Sequence, residues 1–338
     1  MKTSDLDYSF PEELIATEPA RPSRVLWVQD GQPAEITLDE VISRIPAGDV
    51  LVVNDTQVLK RRVFAGDLEI LFLKNLGQNR WEVLFPSRKY AVGSVIDLPL
   101  GVQMTLVQKG RPQVVQVSEN LTEDYFSQVG ELPLPPYIQK ARDQRHTVKT
   151  DETWYQTAWA QKPGSFAAPT ASLHFSAGQI QSLKKRGVHI CEITLHVGLG
   201  TFLPVTVEDL DLHEMHEEYV EISPETVATV NGVLQRGGHV WAMGTTVTRA
   251  LESMGSGVLA PDDQGGYRGW TRILIQPGYE WKIVSRLLTN FHQPQSTLLA
   301  LVAGFSGLKL VKQVYQYAIE KRFRLFSYGD LSVWIRSE

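Results

Sequence analysis

The chain has 338 residues, of which 43% are hydrophobic and 21% charged, with a formal net charge of −5. These values suit one large or two modest globular domains, and they exclude a disordered polyelectrolyte and a broadly basic nucleic-acid-binding protein. Any RNA partner must therefore be held by local cation clusters.

The opening MKTSDLDYSF is polar where an export signal would be apolar. The longest apolar run, LLALVAGF at 298–305, falls well short of the ~20 residues needed to cross a bilayer. A single cysteine, Cys191, excludes an intrachain disulfide and a multi-thiolate zinc site. The expectation is a cytoplasmic protein with no membrane partner.

In chain order, Val50–Val53 is the first buried strand, and it ends in Asn54, Asp55 and Thr56. From residue 61 to 150 the texture changes. LEILFL (68–73), RWEVLF (80–85), SVIDL (94–98), VQMTLVQ (102–108) and PQVVQVS (112–118) are short, β-branched and spaced by turn residues. That rhythm predicts a small antiparallel barrel or sandwich. The proline-rich GELPLPPYIQ (130–139) predicts a rigid strap and no regular helix. Beyond it, Ser176 caps a predicted helix that stops at Gly187, and VHICEITL follows as a strand. Ser223 and Pro224 open a second helix that closes at Gly237-Gly238. HVWAM is then a strand, which GTTVTRALES links through a polar loop to a new helix. Val311, Val314, Tyr315, Ala318 and Ile319 form the buried stripe of the last helix. Strands alternating with helices give a mixed α/β main domain, discontinuous in sequence over 1–60 and 151–338. The β-barrel domain over 61–150 is inserted into it.

Ligands of α/β sheets collect beyond the carboxyl ends of strands. Those ends carry Asn54-Asp55-Thr56, then His196, Gly198, Gly200 and Thr201 of TLHVGLGT. Gly244-Thr245-Thr246 with Arg249 come next, followed by Thr289-Asn290-Phe291-His292 after a predicted strand Ile283–Leu288 and, after Leu325-Phe326, Asp330. The five ends together predict a shared polar cleft sized for a nucleoside. His196 ends a polar row beside glycines that let a ligand approach the backbone; the plainer reading is a histidine hydrogen-bonded within a tight turn. Asp55 suits a general base, a ribose contact or an Asx turn. Arg249 suits a carboxylate or phosphate, or an ordinary ion pair. HEMH at 213–216 is one residue short of the zinc-protease spacing H-E-x-x-H, so His213 and His216 read as a solvated face or a substrate contact more readily than as metal ligands. Trp154, Tyr155, Trp159 and Phe166 are core aromatics or stacking surfaces.

As a set, PEELIATEPARPSRVL, LVVNDTQVLKRRVF, GELPLPPYI, YQTAWAQKPGSFAAPTASLHF, TLHVGLGTFLPV, HEMHEEYVEI, WAMGTTVTRALES, LLTNFHQPQSTLLALV and RLFSYGD occur in order. Together they resemble the S-adenosylmethionine:tRNA ribosyltransferase-isomerase family of queuosine biosynthesis, from the N-terminus to about residue 332. The chain departs from that family's usual pattern at Trp154, Ser172, FPSRK (85–89) and Val247-Thr248.

The resemblance implies an enzyme that transfers and isomerises the ribosyl moiety of S-adenosylmethionine. The acceptor would be 7-aminomethyl-7-deazaguanine at the tRNA wobble position. The products would be epoxyqueuosine-tRNA, adenine and methionine. It implies no metal, no cofactor beyond S-adenosylmethionine as co-substrate, a monomer, and an α/β domain carrying an inserted barrel that could touch tRNA. Joined to that chemistry, His196 and Asp55 lead as proton-transfer groups, with His174 and His292 next. Arg249 would hold the methionine carboxylate. Asn54, Thr56, Thr201, Thr245, Thr246, Asn290 and Asp330 would bind substrate, and Gly198 and Gly200 would admit it to the backbone. Two rival readings are a non-catalytic tRNA-binding protein and a metal-dependent hydrolase centred on His213 and His216.

Overall fold

The structure, a computed structural model, describes residues 1–198, 200 and 205–336. The chain divides into two compact units, one formed by residues 1–57, 135–144 and 153–338, the other by 58–134 and 145–152. Among the described residues no single helix is long and apolar enough to cross a membrane.

The larger unit is built on a nine-stranded mixed sheet. Its strands are β1 (Val25–Gln29), β2 (Gln32–Ile36), β3 (Val50–Asn54), β4 (His189–His196), β5 (Glu218–Ile222), β6 (Val240–Met243), β7 (Tyr267–Thr271), β8 (Arg286–Asn290) and β9 (Leu331–Ile335). They lie side by side as β7-β5-β4-β3-β6-β8-β9-β1-β2. The central run β4-β3-β6-β8 is parallel, so the carboxyl ends of four strands meet along one edge. At β3 the order switches, because β4 joins one side of it and β6 the other, and such a crevice is where α/β sheets hold ligands.

Both faces of this sheet are buried. Val50 and Val52 of β3 pack with Cys191, Ile193 and Leu195 of β4 in one core, while Leu51 and Val53 face a second core with Trp241, Met243 and Leu183. That two-sided burial explains why VLVVN reads as a continuous apolar run. Among the described residues the helices flanking the sheet include α1 (Ala177–Lys185), α2 (Pro224–Gln235), α3 (Thr245–Gly255), α4 (Thr297–Ser306) and α5 (Leu308–Glu320). The short helix Leu38–Arg44 adds Leu38, Val41 and Ile42 to the second core. Ser176 caps α1 by accepting from the Gln179 amide, and Ser223 does the same for α2 through the Thr226 amide.

Three local expectations change. No polar loop separates β6 from α3, because Gly244 alone makes the turn at φ 102° and ψ 162°. The strand expected at 283–288 runs instead over Arg286–Asn290, since the Ile283 and Val284 amides donate to the Glu252 carboxylate and leave the ladder. Leu325-Phe326 is not a strand: Phe326 sits at φ 71°, and Leu325 makes only an isolated bridge to Ile15. Asp330 therefore precedes a strand, although β9 runs antiparallel to β8 and places Leu331 opposite Asn290. The proline-rich strap is extended as far as Pro135 and then does turn into a short helix, Pro136–Ala141, with Pro136 at a first-turn position where its missing N–H costs nothing.

The smaller unit holds a six-stranded antiparallel sheet, curled into a nearly closed barrel. The five expected strands are present, and Arg62–Ala65 adds an edge strand. Val63, Ile70, Phe72, Trp81, Val83, Leu106, Val115 and Phe126 fill its interior. Arg62 is buried within this unit against Glu131 at 2.9 Å and Glu69 at 3.8 Å.

Candidate active site

A cavity of about 530 Å³ opens in the larger unit at the carboxyl ends of β6 and β8. That volume falls in the ~300–1,000 Å³ range of small-molecule sites. Gly244, Thr245, Thr246 and Arg249 from the start of α3 form one wall. Thr289, Asn290, Phe291 and His292 leaving β8 form another, continued by Ser296 and Thr297 at the start of α4. His213, His216 and Glu218 approach from the segment entering β5, and Tyr137, Tyr155, Phe326 and Ser327 complete the lining.

The two helix starts differ. Ser296 caps α4 through the Leu299 amide, whereas among the described residues no side chain caps α3, whose N-cap is Gly244. An uncapped N-terminus presents unsatisfied N–H groups and a positive dipole end, which suits a carboxylate. Deeper in the wall Arg249 pairs with Glu218, both side chains being buried, and the second Glu218 oxygen accepts from the Gly198 amide at 3.2 Å. Among the described residues Arg249 Nε has no hydrogen-bond partner.

Burial sets the protonation of the imidazoles. His292 is held to about pKa 3 by burial, with Nε2 2.7 Å from Thr289 Oγ1 and its backbone N–H on the Tyr315 hydroxyl. His213 is also lowered, by burial and then by neighbouring His216. Tyr137 is pushed up to about 12 by burial and pairs with Ser327. The cavity thus offers neutral imidazoles and protonated phenols at neutral pH. Among the described residues no three His, Cys, Asp or Glu side chains gather as metal ligands.

Of the expected site residues, His292, Gly200, Thr245, Thr246, Arg249 and Asn290 line the cavity, and the other described ones do not. Thr201 lies outside the described residues. Asn54 is fully buried and saturated: it binds the Leu195 amide and carbonyl, the Thr56 amide, and Thr246 Oγ1 at 3.3 Å. It therefore ties the end of β3 to the cavity wall across the switch point. Asp55 accepts from the Thr194 hydroxyl at 2.7 Å and has Lys162 at 3.9 Å. His196 bonds Thr56 Oγ1 through Nδ1 at 2.8 Å, and Gly164 covers its ring so closely that a Cβ would come within 2.7 Å. Burial lowers its pKa, against the opposing pull of Asp55. His196, Asp55 and Thr56 thus form a second polar cluster, joined to the cavity through Asn54. His174, held near pKa 4 by burial, bonds Ser23 through Nδ1 and lies beside Asn290. Gly198 serves Glu218, and Asp330 latches a turn by accepting from the Arg24 and Arg324 amides.

The sequence reading weighed His213 and His216 as a solvated face or a substrate contact without assigning them a role in the reaction, and it did not single out Tyr137. The two histidines had a visible signal, two imidazoles beside carboxylates in HEMHEEY. Tyr137 had none, since a tyrosine after two prolines marks a turn as readily as a cavity wall. Phe326 is held left-handed by a turn in which the Gly329 amide bonds its carbonyl, a backbone conformation of the kind that concentrates at binding sites.

Comparison with known proteins identifies the family of the chain. A crystal structure of an S-adenosylmethionine tRNA ribosyltransferase from Thermotoga maritima is 28% identical, with 98% of this chain and 100% of that one covered at a TM-score of 0.56. A family model described as a queuosine biosynthesis protein matches residues 3–334. With nearly every residue accounted for by that match, the chain belongs to the queuosine biosynthesis family.

Proposed function

We propose that the protein is a transferase that moves and isomerises the ribosyl moiety of S-adenosylmethionine onto 7-aminomethyl-7-deazaguanine at the wobble position of tRNA, giving epoxyqueuosine-tRNA with release of adenine and methionine. The observation that carries this reading is an uncapped helix start, hydroxyls and neutral imidazoles around one nucleoside-sized cavity, in a chain that matches the queuosine family almost end to end.

The chemistry requires a base for the proton on the carbon beside the sulfonium, a proton for departing adenine, and an unprotonated amine nucleophile. A base must be deprotonated at working pH. His213 meets that condition because burial and His216 lower its pKa. We assign it as the first proton acceptor, with His216 as its neighbour in relay. His292, neutral and fixed on Thr289, orients substrate. The methionine carboxylate sits at the α3 start on Thr245 and Thr246, ahead of Arg249, whose charge Glu218 already balances. Asn290 and Ser327 serve adenine or ribose. His196 and Asp55 hold the end of β4 and the approach to the cavity from behind Asn54.

The test is adenine release from S-adenosylmethionine. It is expected only when tRNA carrying 7-aminomethyl-7-deazaguanine is supplied, with ribosyl mass added to that base. Adenine release independent of the tRNA base, or none with it, would overturn the assignment. A non-catalytic tRNA binder would give the second result.

A further inference from the structure

The outward face of the edge strand β7 carries Arg268 and Trp270, with Arg272 one step beyond its end. These side chains alternate at about 6.8 Å along the strand and project to the same side. Trp270 is 59% exposed, a large apolar surface in solvent. It is held upright by neighbours in register. Trp270 lies opposite Tyr219 on β5, which lies opposite His196 on β4. Trp270 meets Tyr219 edge-on at 5.5 Å, and Tyr219 stacks on His196 at 6.1 Å. Gly164 closes the far side of His196, so the row is braced from β4 outward. Arg268 and Arg272 keep 60% and 64% exposure while tethered to Glu221 and Glu217, and Lys162, 47% exposed, reaches Glu221 from the other side.

A braced, exposed indole between two arginines on an edge strand is the arrangement that stacks an unpaired base and steers its flanking phosphates. Glu221 lies one strand inward and Glu217 just ahead of that strand, with Asp262 also acting on Arg268. The exposed faces of Arg268, Arg272 and Lys162 make a local cationic rim in a chain that is acidic overall. The row also borders the cavity. Val197 and Glu218 line it, while their chain neighbours His196 and Tyr219 head the aromatic row. We propose that this face binds unpaired nucleotides of the RNA substrate by stacking on Trp270, with Arg268 and Arg272 on the adjacent phosphates. The inference rests on the tRNA-directed function proposed above and assigns that partner a surface in the larger unit.

The experiment measures binding of a fluorescent anticodon stem-loop RNA, and of a fully paired duplex of equal length, to wild type, Trp270→Ala, Trp270→Phe and Arg268→Gln/Arg272→Gln. Expected are an affinity loss of about tenfold for Trp270→Ala with the stem-loop, little loss for Trp270→Phe, and no change with the duplex. The double arginine variant should reduce the slope of log affinity against log salt by about 1.4. Equal stem-loop affinity of Trp270→Ala and wild type, or an equal loss with duplex, would overturn the platform and leave the proposed function standing. Failure of the wild type to bind the stem-loop would overturn both.

Discussion

At the residue scale, position in the cavity wall decides what each imidazole can do. His292 titrates near 3 in the folded protein because it is buried, and near ~6.5 when unfolded. The unfolded chain therefore takes up the proton first as pH falls. The stability linked to His292 is present in full above ~6.5 and is lost as pH drops toward 3. By pH 5 that loss is about 2 kcal/mol, and denaturant unfolding of His292→Asn should show a correspondingly flatter pH dependence. His213 carries a different expectation. His213→Gln should lower kcat by roughly 10²–10⁴ while S-adenosylmethionine affinity stays within a few fold, as fits loss of a proton-transfer group. A matched loss of affinity and turnover would instead make it a binding residue. Thr245, Thr246, Arg249, Asn290 and His292 were legible in the sequence because each lies at the carboxyl end of a buried strand or in the segment that leaves it. His213 was legible only as an imidazole among carboxylates, since it enters the wall from a segment with no periodic pattern.

At the element scale, the short turn between β6 and α3 aims an uncapped helix start at the cavity. Gly244 makes that turn in a backbone region open essentially to glycine alone, although a Cβ there would meet Ala171 at 3.7 Å and Thr246 Oγ1 at 3.8 Å, both ordinary contacts. Gly244→Ala should therefore cost about 1–3 kcal/mol through backbone strain. It should also raise the KM for S-adenosylmethionine by tilting α3; an unchanged KM would place the carboxylate elsewhere. Glu252 fixes the other end of that helix. It is fully buried and accepts from the Tyr279 hydroxyl and from the amides of Lys282, Ile283 and Val284. Glu252→Ala would strand four donors and should destabilise the protein by about 3 kcal/mol or more, read as a lowered midpoint of denaturant unfolding. This carboxylate also explains a misplaced element. The apolar pattern of 283–288 reads as strand from Ile283, but a side chain distant in sequence takes two of its amides. The helices flanked by Ser176 and Gly187, and by Ser223 and Gly237, were legible because their stop and start signals are local.

At the scale of the whole molecule, the partition into an α/β unit and a barrel unit follows from texture, strands alternating with helices against a run of consecutive β-branched strands. What texture could not give is that residues 135–144 belong with the larger unit, since that depends on where Tyr137 and Ile138 find apolar partners. A net charge of −5 means that tRNA must be gripped by local cations. Affinity should fall steeply between 50 and 200 mM salt, by a factor set by the number of phosphates neutralised; a flat response would exclude phosphate contacts as the source of binding. The most direct measurement uses a photoreactive S-adenosylmethionine analogue, crosslinked to the protein and mapped by mass spectrometry. Labelled peptides should fall in 213–218, 244–249 and 289–297, the three walls of the cavity. Labelling confined to the barrel residues 58–134, or to the face of Arg268, Trp270 and Arg272, would contradict the placement of the reaction in that cavity.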